Sequence, residues 1–365
     1  MKKLLAIVLA LAMVLSLGVT AFAADDEIAV AMITDYGDIT DQSFNQTTYE
    51  ACKEYCEENG IAFQYYKPAS DSDGDRIASM EQAIDDGYTV LVMPGYAFGP
   101  AIEQTAPEYP EITFVALDVS EGDIGELAGN VPENLYCAVY QEELCGYMAG
   151  YAAVKLGYTQ LGFLGGMAVP AVIRYGYGFV QGADAAAAEL GITGEVNVKY
   201  VYGNQFYGDA DITAYMDTWY AAGTEIVFAC GGGIYTSAGE AAAKVGAKVI
   251  GVDVDQAATI DGLYGEGITV TSAMKGLAAT VKATLAAIED GSFVGGKVDN
   301  LGLVSDVPAE NYVQIAESTQ FNDDFTVEDY EALVVAMNAG EVVVSNAIDV
   351  EPEVAIAVDY QGNIK

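Results

Sequence analysis

Short apolar runs alternate along the chain with stretches in which apolar residues recur at helical spacing. Residues 27–33 read as a first strand, 44–59 as a helix stopped by Gly60, and 61–66 as the next strand. A helix over 75–86 closed by Gly87, a strand over 89–93, a helix over 100–108 and a strand over 112–118 continue the series. A second series starts near Glu142, with helices over 143–156, 169–190, 212–222 and 237–245. Strands over 160–164, 196–202, 225–229 and 248–252 fall between and after them, followed by a strand over 268–271 and a helix over 276–289. Strand–helix–strand repetition of this kind gives parallel sheets with helices on both faces. The expected fold class is therefore α/β, with two doubly wound, Rossmann-like lobes joined by a hinge. The expected first lobe is 27–138 plus about 268–320, the second is 139–267, and part of 321–365 is expected to pack on either lobe.

The first residues break the pattern. Lys2 and Lys3 precede an apolar run over 4–19, and Ala21-Phe22-Ala23 supplies the small residues a signal peptidase needs. Residues 1–24 are expected to be a cleaved signal peptide, because the run is short for a membrane span of ~20 residues. The expected location is the periplasm or the outer face of the cell membrane, with no lipid-acceptor Cys beside the cleavage point.

Composition narrows the chemistry. The formal net charge is −40, and removal of the leader takes away two more lysines. Such a surface repels nucleic acid and anionic lipid, whose binding depends on Lys and Arg that release counterions. The chain has no histidine, which removes Ser-His-Asp and Cys-His nucleophile systems and His-based zinc sites. The five cysteines are odd in number and scattered, and are expected to be free thiols. An enzyme is not expected, nor is a cofactor or a metal.

Ligands of open α/β sheets sit beyond the carboxyl ends of the strands. There this chain places Asp35, Asp118 and Asp253, the glycine turns Gly165-Gly166 and Gly231-Gly232-Gly233, and Lys275. Carboxylates accept pairs of hydroxyl or ring N–H bonds, and glycine lets backbone approach a ligand. Many acceptors and few cations suit an uncharged, polyhydroxylated ligand with N–H donors. A dinucleotide fingerprint and a calcium loop at Asp71–Asp75 both fail on spacing.

Four ordered motifs carry a family resemblance. Residues 35–46, with Asp35, Gly37, Asp41 and the run Ser43-Phe44-Asn45-Gln46, resemble the D-x-G-x-x-x-D-x-S-F-N-Q opening of the basic-membrane-protein family. These are the PnrA-like purine nucleoside receptors of ABC transporters. Gly165-Gly166-Met167-Ala168-Val169-Pro170, Gly251-Val252-Asp253-Val254-Asp255-Gln256 and Thr271-Ser272-x-x-Lys275 look like its later motifs. Tyr36, Tyr175 and Gly233-Ile234-Tyr235 depart from the family pattern.

The resemblance, over about 27 to 345, implies a type I periplasmic-binding-protein fold and a receptor for an ABC permease. It implies a purine nucleoside such as guanosine, inosine or adenosine in the interlobe cleft, and a monomer. Carried over, Phe44 and Phe206 are expected to stack on the base, with Tyr207 as the alternative to Phe206. Asp35 is expected at the base edge, Asp118 at the end of the fourth strand, Asp253 and Lys275 at the ribose, and Gly232 in the glycine turn. Alternatives are a sugar or autoinducer receptor of the same fold, a ligand-sensing regulatory protein, and a nucleoside hydrolase with calcium on Asp35, Asp38 and Asp41.

Overall fold

The computed structural model describes residues 28–35 and 37–364. The expected signal peptide, Glu27 and Tyr36 lie outside the described residues. The first half runs β1 (Ala29–Ile33), α1 (Phe44–Asn59), β2 (Ala62–Tyr66), α2 (Asp73–Asp85), β3 (Val90–Pro94), α3 (Gly99–Glu108), β4 (Thr113–Leu117) and β5 (Leu135–Tyr140). It continues with α4 (Glu142–Lys155), β6 (Gln160–Gly165), α5 (Pro170–Leu190), β7 (Asn197–Tyr202), α6 (Ala210–Ala221), β8 (Ile226–Cys230) and α7 (Tyr235–Val245). The remainder is β9 (Lys248–Asp253), α8 (Ala257–Tyr264), β10 (Thr269–Lys275), α9 (Leu277–Glu289), β11 (Lys297–Leu301), β12 (Val313–Ile315), α10 (Val327–Asn338) and β13 (Ala357–Asn363).

These elements form two α/β lobes. The first sheet has the order β11-β5-β4-β3-β1-β2, and its pairs are all parallel. The second has the order β12-β10-β9-β8-β6-β7-β13, with only the β10–β12 pair antiparallel. Central strands such as β1, β3 and β8 are buried at every position, as strands covered by helices on both faces must be.

The chain passes between lobes at three neighbouring places. Gln141 N–H donates to Leu301 O at 2.9 Å, Gly276 N–H to Tyr312 O at 2.7 Å, and Tyr312 N–H to Gly302 O at 3.1 Å. Bonded to one another, the three segments make a compact hinge. The stretch 268–320 is divided differently from the expectation. β10 and β12 belong to the second sheet, and only α9 and β11 return to the first. An apolar run such as β10 fits either sheet, and its register with Val252 and Asp253 places it in the second. α9 lies on α1, with Lys282 Nζ 2.8 Å from Glu54.

The last residues cover the second lobe. Ile315 N–H donates to the Tyr330 hydroxyl of α10 at 3.0 Å. β13 extends the sheet beside β7, where Tyr360 packs 5.0 Å from the Tyr200 ring.

Glycine spacing explains how α4 and α5 meet. A Cβ at Gly146 would fall 2.2 Å from Tyr175 O, and one at Gly182 would fall 2.0 Å from Tyr147 O. Only hydrogen fits at such crossings, so the helix backbones touch and the side chains of their first turns are brought together. All five cysteines are buried free thiols.

Candidate functional site

A cavity of about 350 Å³ lies between the carboxyl ends of the two sheets. All seven residues picked out in the sequence (Asp35, Phe44, Asp118, Phe206, Gly232, Asp253 and Lys275) line it. Its size falls within the ~300–1,000 Å³ usual for small-molecule sites.

The first lobe's share is built by the loop between β1 and α1. Asp41 works as an extended helix cap: its carboxylate accepts from Ser43 N–H at 2.9 Å, Asn45 N–H at 2.9 Å and Gln46 N–H at 3.0 Å. These are orphan donors of the first turn, and a negative charge there also answers the helix dipole. Phe44 is thereby fixed as the first helical residue, facing the cavity. Freed from capping, the Ser43 hydroxyl donates to Asp253 Oδ2 at 2.5 Å, across to the second lobe.

Asp35 accepts from Gly37 N–H at 2.5 Å and from the Asn45 amide. A Cβ at Gly37 would sit 2.2 Å from Asn45 Nδ2, which explains the glycine. Burial outweighs these bonds and pushes the Asp35 carboxyl up to about 6. Asn45 Oδ1 has no hydrogen-bond partner among the described residues, so the loop presents an unsatisfied acceptor. The three acids that a calcium-dependent hydrolase would share are occupied otherwise. Asp38 pairs with Lys67 at 3.0 Å and Asp41 caps α1.

The cavity wall also carries an ion cluster. Lys275 Nζ, on the second lobe, is paired with Asp118 of the first, and stands 3.5 Å from Glu142 and 3.8 Å from Asp253. It also lies over the Phe44 ring, 4.8 Å from the centroid. Burial alone would lower the lysine's pKa, but Asp118, Asp253 and Glu142 together raise it above the ordinary value. Asp118 is pushed up to about 6 by burial, with Lys275 pulling the other way. Its Oδ1 has no partner among the described residues. Asp118 and Asp253 both have left-handed backbones, with φ of 56° and 66°. That is uncommon outside glycine and recurs at functional sites.

The second lobe adds an aromatic shelf. A Cβ at Gly166 would meet the Phe206 ring at 2.4 Å, and one at Gly231 would meet it at 2.8 Å. Phe206 thus lies on glycine backbone, while Tyr207 stays 63% exposed at the rim. Gly232, with φ of 50°, follows in the turn whose Gly233 N–H donates to Phe206 O at 2.8 Å.

Sequence reasoning assigned no site role to Ser43, Asn45 or Tyr175, which it named only within motifs, nor to Glu142 and Arg174. Arg174 Nε donates to Glu142 Oε2 at 2.6 Å, and the Tyr175 hydroxyl to Asp253 Oδ1 at 3.5 Å. Glu143, beside them, is pushed up to about 7 by burial. One signal was available: the chain has only 14 Lys and Arg, and a lone Arg just after a glycine turn and Pro170 is conspicuous.

Comparison with known proteins matches residues 28–341 to a family model described as ABC transporter substrate-binding protein PnrA-like. A Lactococcus lactis protein named ABC transporter nucleoside-binding protein BmpA is 28% identical over 290 residues, covering 74% of this chain and 78% of the relative. Basic membrane protein B of Borreliella burgdorferi is 28% identical over 327 residues, 84% of this chain and 91% of its own length. Among solved structures, an ABC transporter solute-binding protein from Conexibacter woesei superposes with a TM-score of 0.66 at 21% identity, covering 87% of this chain and 99% of that one. At that identity the likeness shows the fold: the two-lobed type I periplasmic-binding-protein arrangement.

Proposed function

The chain belongs to the PnrA-like substrate-binding proteins of ABC transporters, and from that premise we propose that it is an exported receptor that carries a purine nucleoside to its permease. One observation carries the choice of ligand. The cavity sets two aromatic side chains, Phe44 and Phe206, near carboxylates that outnumber its two interior cations, Lys275 being engaged by three acids and Arg174 by Glu142. A flat ring with N–H donors and a polyhydroxylated sugar uses both kinds of surface. A phosphate would face Asp35, Asp118 and Asp253 at short range, where two like charges ~4 Å apart cost about 4 kcal/mol at an effective dielectric of 20.

In this reading the base lies between Phe44 and Phe206, with its edge at Asp35 and Asn45. The ribose hydroxyls meet Asp253, Asp118 and Lys275, and the Gly231–Gly233 turn closes around them. The Lactococcus relative, named for nucleoside binding, supports the same assignment. Ligand contacts on both lobes favour the shut form, so ligand shifts the population toward the shape the permease recognises. A thermal-shift screen of nucleosides, free bases and sugars tests this. A ligand at 100 times its Kd adds about 2.7 kcal/mol, so guanosine or inosine should raise the melting temperature clearly. Stabilisation by sugars alone would replace the reading with a sugar receptor.

A further inference from the structure

Arg174 is the fifth residue of α5, lines the cavity, and has a side chain only 17% exposed. Its Nε is committed to Glu142 Oε2 at 2.6 Å, with Glu143 Oε2 at 4.0 Å. A guanidinium carries five N–H donors, and the four on Nη1 and Nη2 have no partner among the described residues. Lys275, the other interior cation, has three carboxylates around it. The glycine-mediated contact of α4 with α5 fixes Glu142 beside Arg174, so the fork is held in one orientation before any ligand arrives.

We propose that Arg174 is a ligand-contacting, specificity-determining residue whose two Nη groups donate to an adjacent pair of acceptors on the solute. The inference rests on the nucleoside reading above. A planar fork matches two neighbouring acceptors far better than a lysine does. A purine nucleoside offers two such pairs: the carbonyl oxygen and N7 of a 6-oxopurine, and the vicinal hydroxyl oxygens of ribose. The first is absent from a 6-aminopurine, which presents a donor beside N7. The unpartnered Oδ1 of Asp118 would accept from the same hydroxyls in the second case.

The test is Arg174→Lys, which keeps a positive charge opposite Glu142 and loses the fork. Wild type and variant are titrated calorimetrically with inosine, adenosine and 2′,3′-dideoxyinosine. The variant should bind inosine at least about fivefold more weakly, the lower end of what one bidentate contact discriminates. If the acceptors are on the base, adenosine is spared; if they are on the ribose, dideoxyinosine is spared. An unchanged inosine affinity, or equal losses for all three solutes, overturns the proposal while leaving the nucleoside reading intact. A wild type that binds none of the three overturns both. Should the variant melt early, the Nη resonances of wild-type Arg174 serve instead: they shift and exchange more slowly on adding inosine, and unmoved resonances refute the contact.

Discussion

The side-chain amide of Gln256, in the second lobe, donates to the carbonyl oxygen of Gln42, in the first, at 3.0 Å. Gln42 holds a left-handed backbone with φ of 55°, and its own side chain accepts from the Thr259 hydroxyl at 3.1 Å. Gln256 is itself braced, its Oε1 accepting from Val252 N–H at 2.9 Å and its N–H donating to Ser272 Oγ at 3.1 Å. The pair joins the lobes beside the cavity and outside its lining, so in the proposed cycle it should favour the shut form whether or not a ligand is present.

Thr259→Val keeps the side chain's shape and removes one donor from this junction. A hydrogen bond is worth a net ~0.5–1.5 kcal/mol, so nucleoside affinity should fall about 2- to 10-fold through the closed population. The preference among bases should not change. Calorimetric titration of three nucleosides checks both parts, and a changed preference would mean that Thr259 touches the ligand.

Phe44→Ala should weaken nucleoside binding more than Tyr96→Ala, although both residues line the cavity. Base–aromatic stacking is worth ~1–3 kcal/mol, and the Phe44 ring also lies 4.8 Å from Lys275 Nζ. Parallel titrations of the two variants decide it.

Much of the fold was legible because its signals are local. The helix ending at Gly60 matches a glycine with φ of 70° whose N–H returns to Cys56 O. Strand-end acids were legible as a class, since parallel sheets bind at that edge, and the seven expected residues do line one cavity. What escaped depends on contacts far apart in sequence. Ser43 meets Asp253 across 210 positions, and β10 could be assigned to a sheet only by its register with β9. Glu142 and Arg174 meet because glycines let two helices touch, and neither residue advertises that alone. β11, β12 and β13 are short or half-polar edge strands, so their apolar pattern is weak.

Stability should depend on pH in the direction opposite to that of most salt-bridged carboxylates. Burial raises Asp35 and Asp118 to about 6 and Glu143 to about 7. Between the ordinary carboxylate range and those values, the folded state holds protons that the unfolded state has released. Raising the pH therefore removes stability from about 4 up to about 7, after which these groups contribute no further slope. Melting temperatures of the unliganded protein across that window should fall, and Asp35→Asn should flatten part of the fall. An unaltered slope in the variant would mean that Asp35 is ionised throughout.

Removal of residues 342–365 should cost stability and spare the site. This segment lies past the family match and covers the β7 edge. Gln361 Oε1 accepts from Trp219 Nε1 at 3.2 Å and from the Tyr215 hydroxyl at 2.8 Å. The truncated protein should melt several degrees lower, with Trp219 emission moved to the red, while nucleoside affinity stays within about twofold, a change of only ~0.4 kcal/mol. A large affinity loss would tie the tail to closure.

The central claim is that a neutral purine nucleoside, and not its phosphate, fills the space between the lobes. Calorimetric titration of the mature protein with guanosine and, separately, with guanosine 5′-monophosphate tests it most directly. One guanosine should bind per chain, and the monophosphate at least about 100-fold more weakly, or roughly 2.7 kcal/mol, because a 5′-phosphate adds its charge at the ribose end, beside Asp118 and Asp253. Equal or tighter binding of the monophosphate, or no binding of guanosine, inosine or adenosine at all, would contradict it.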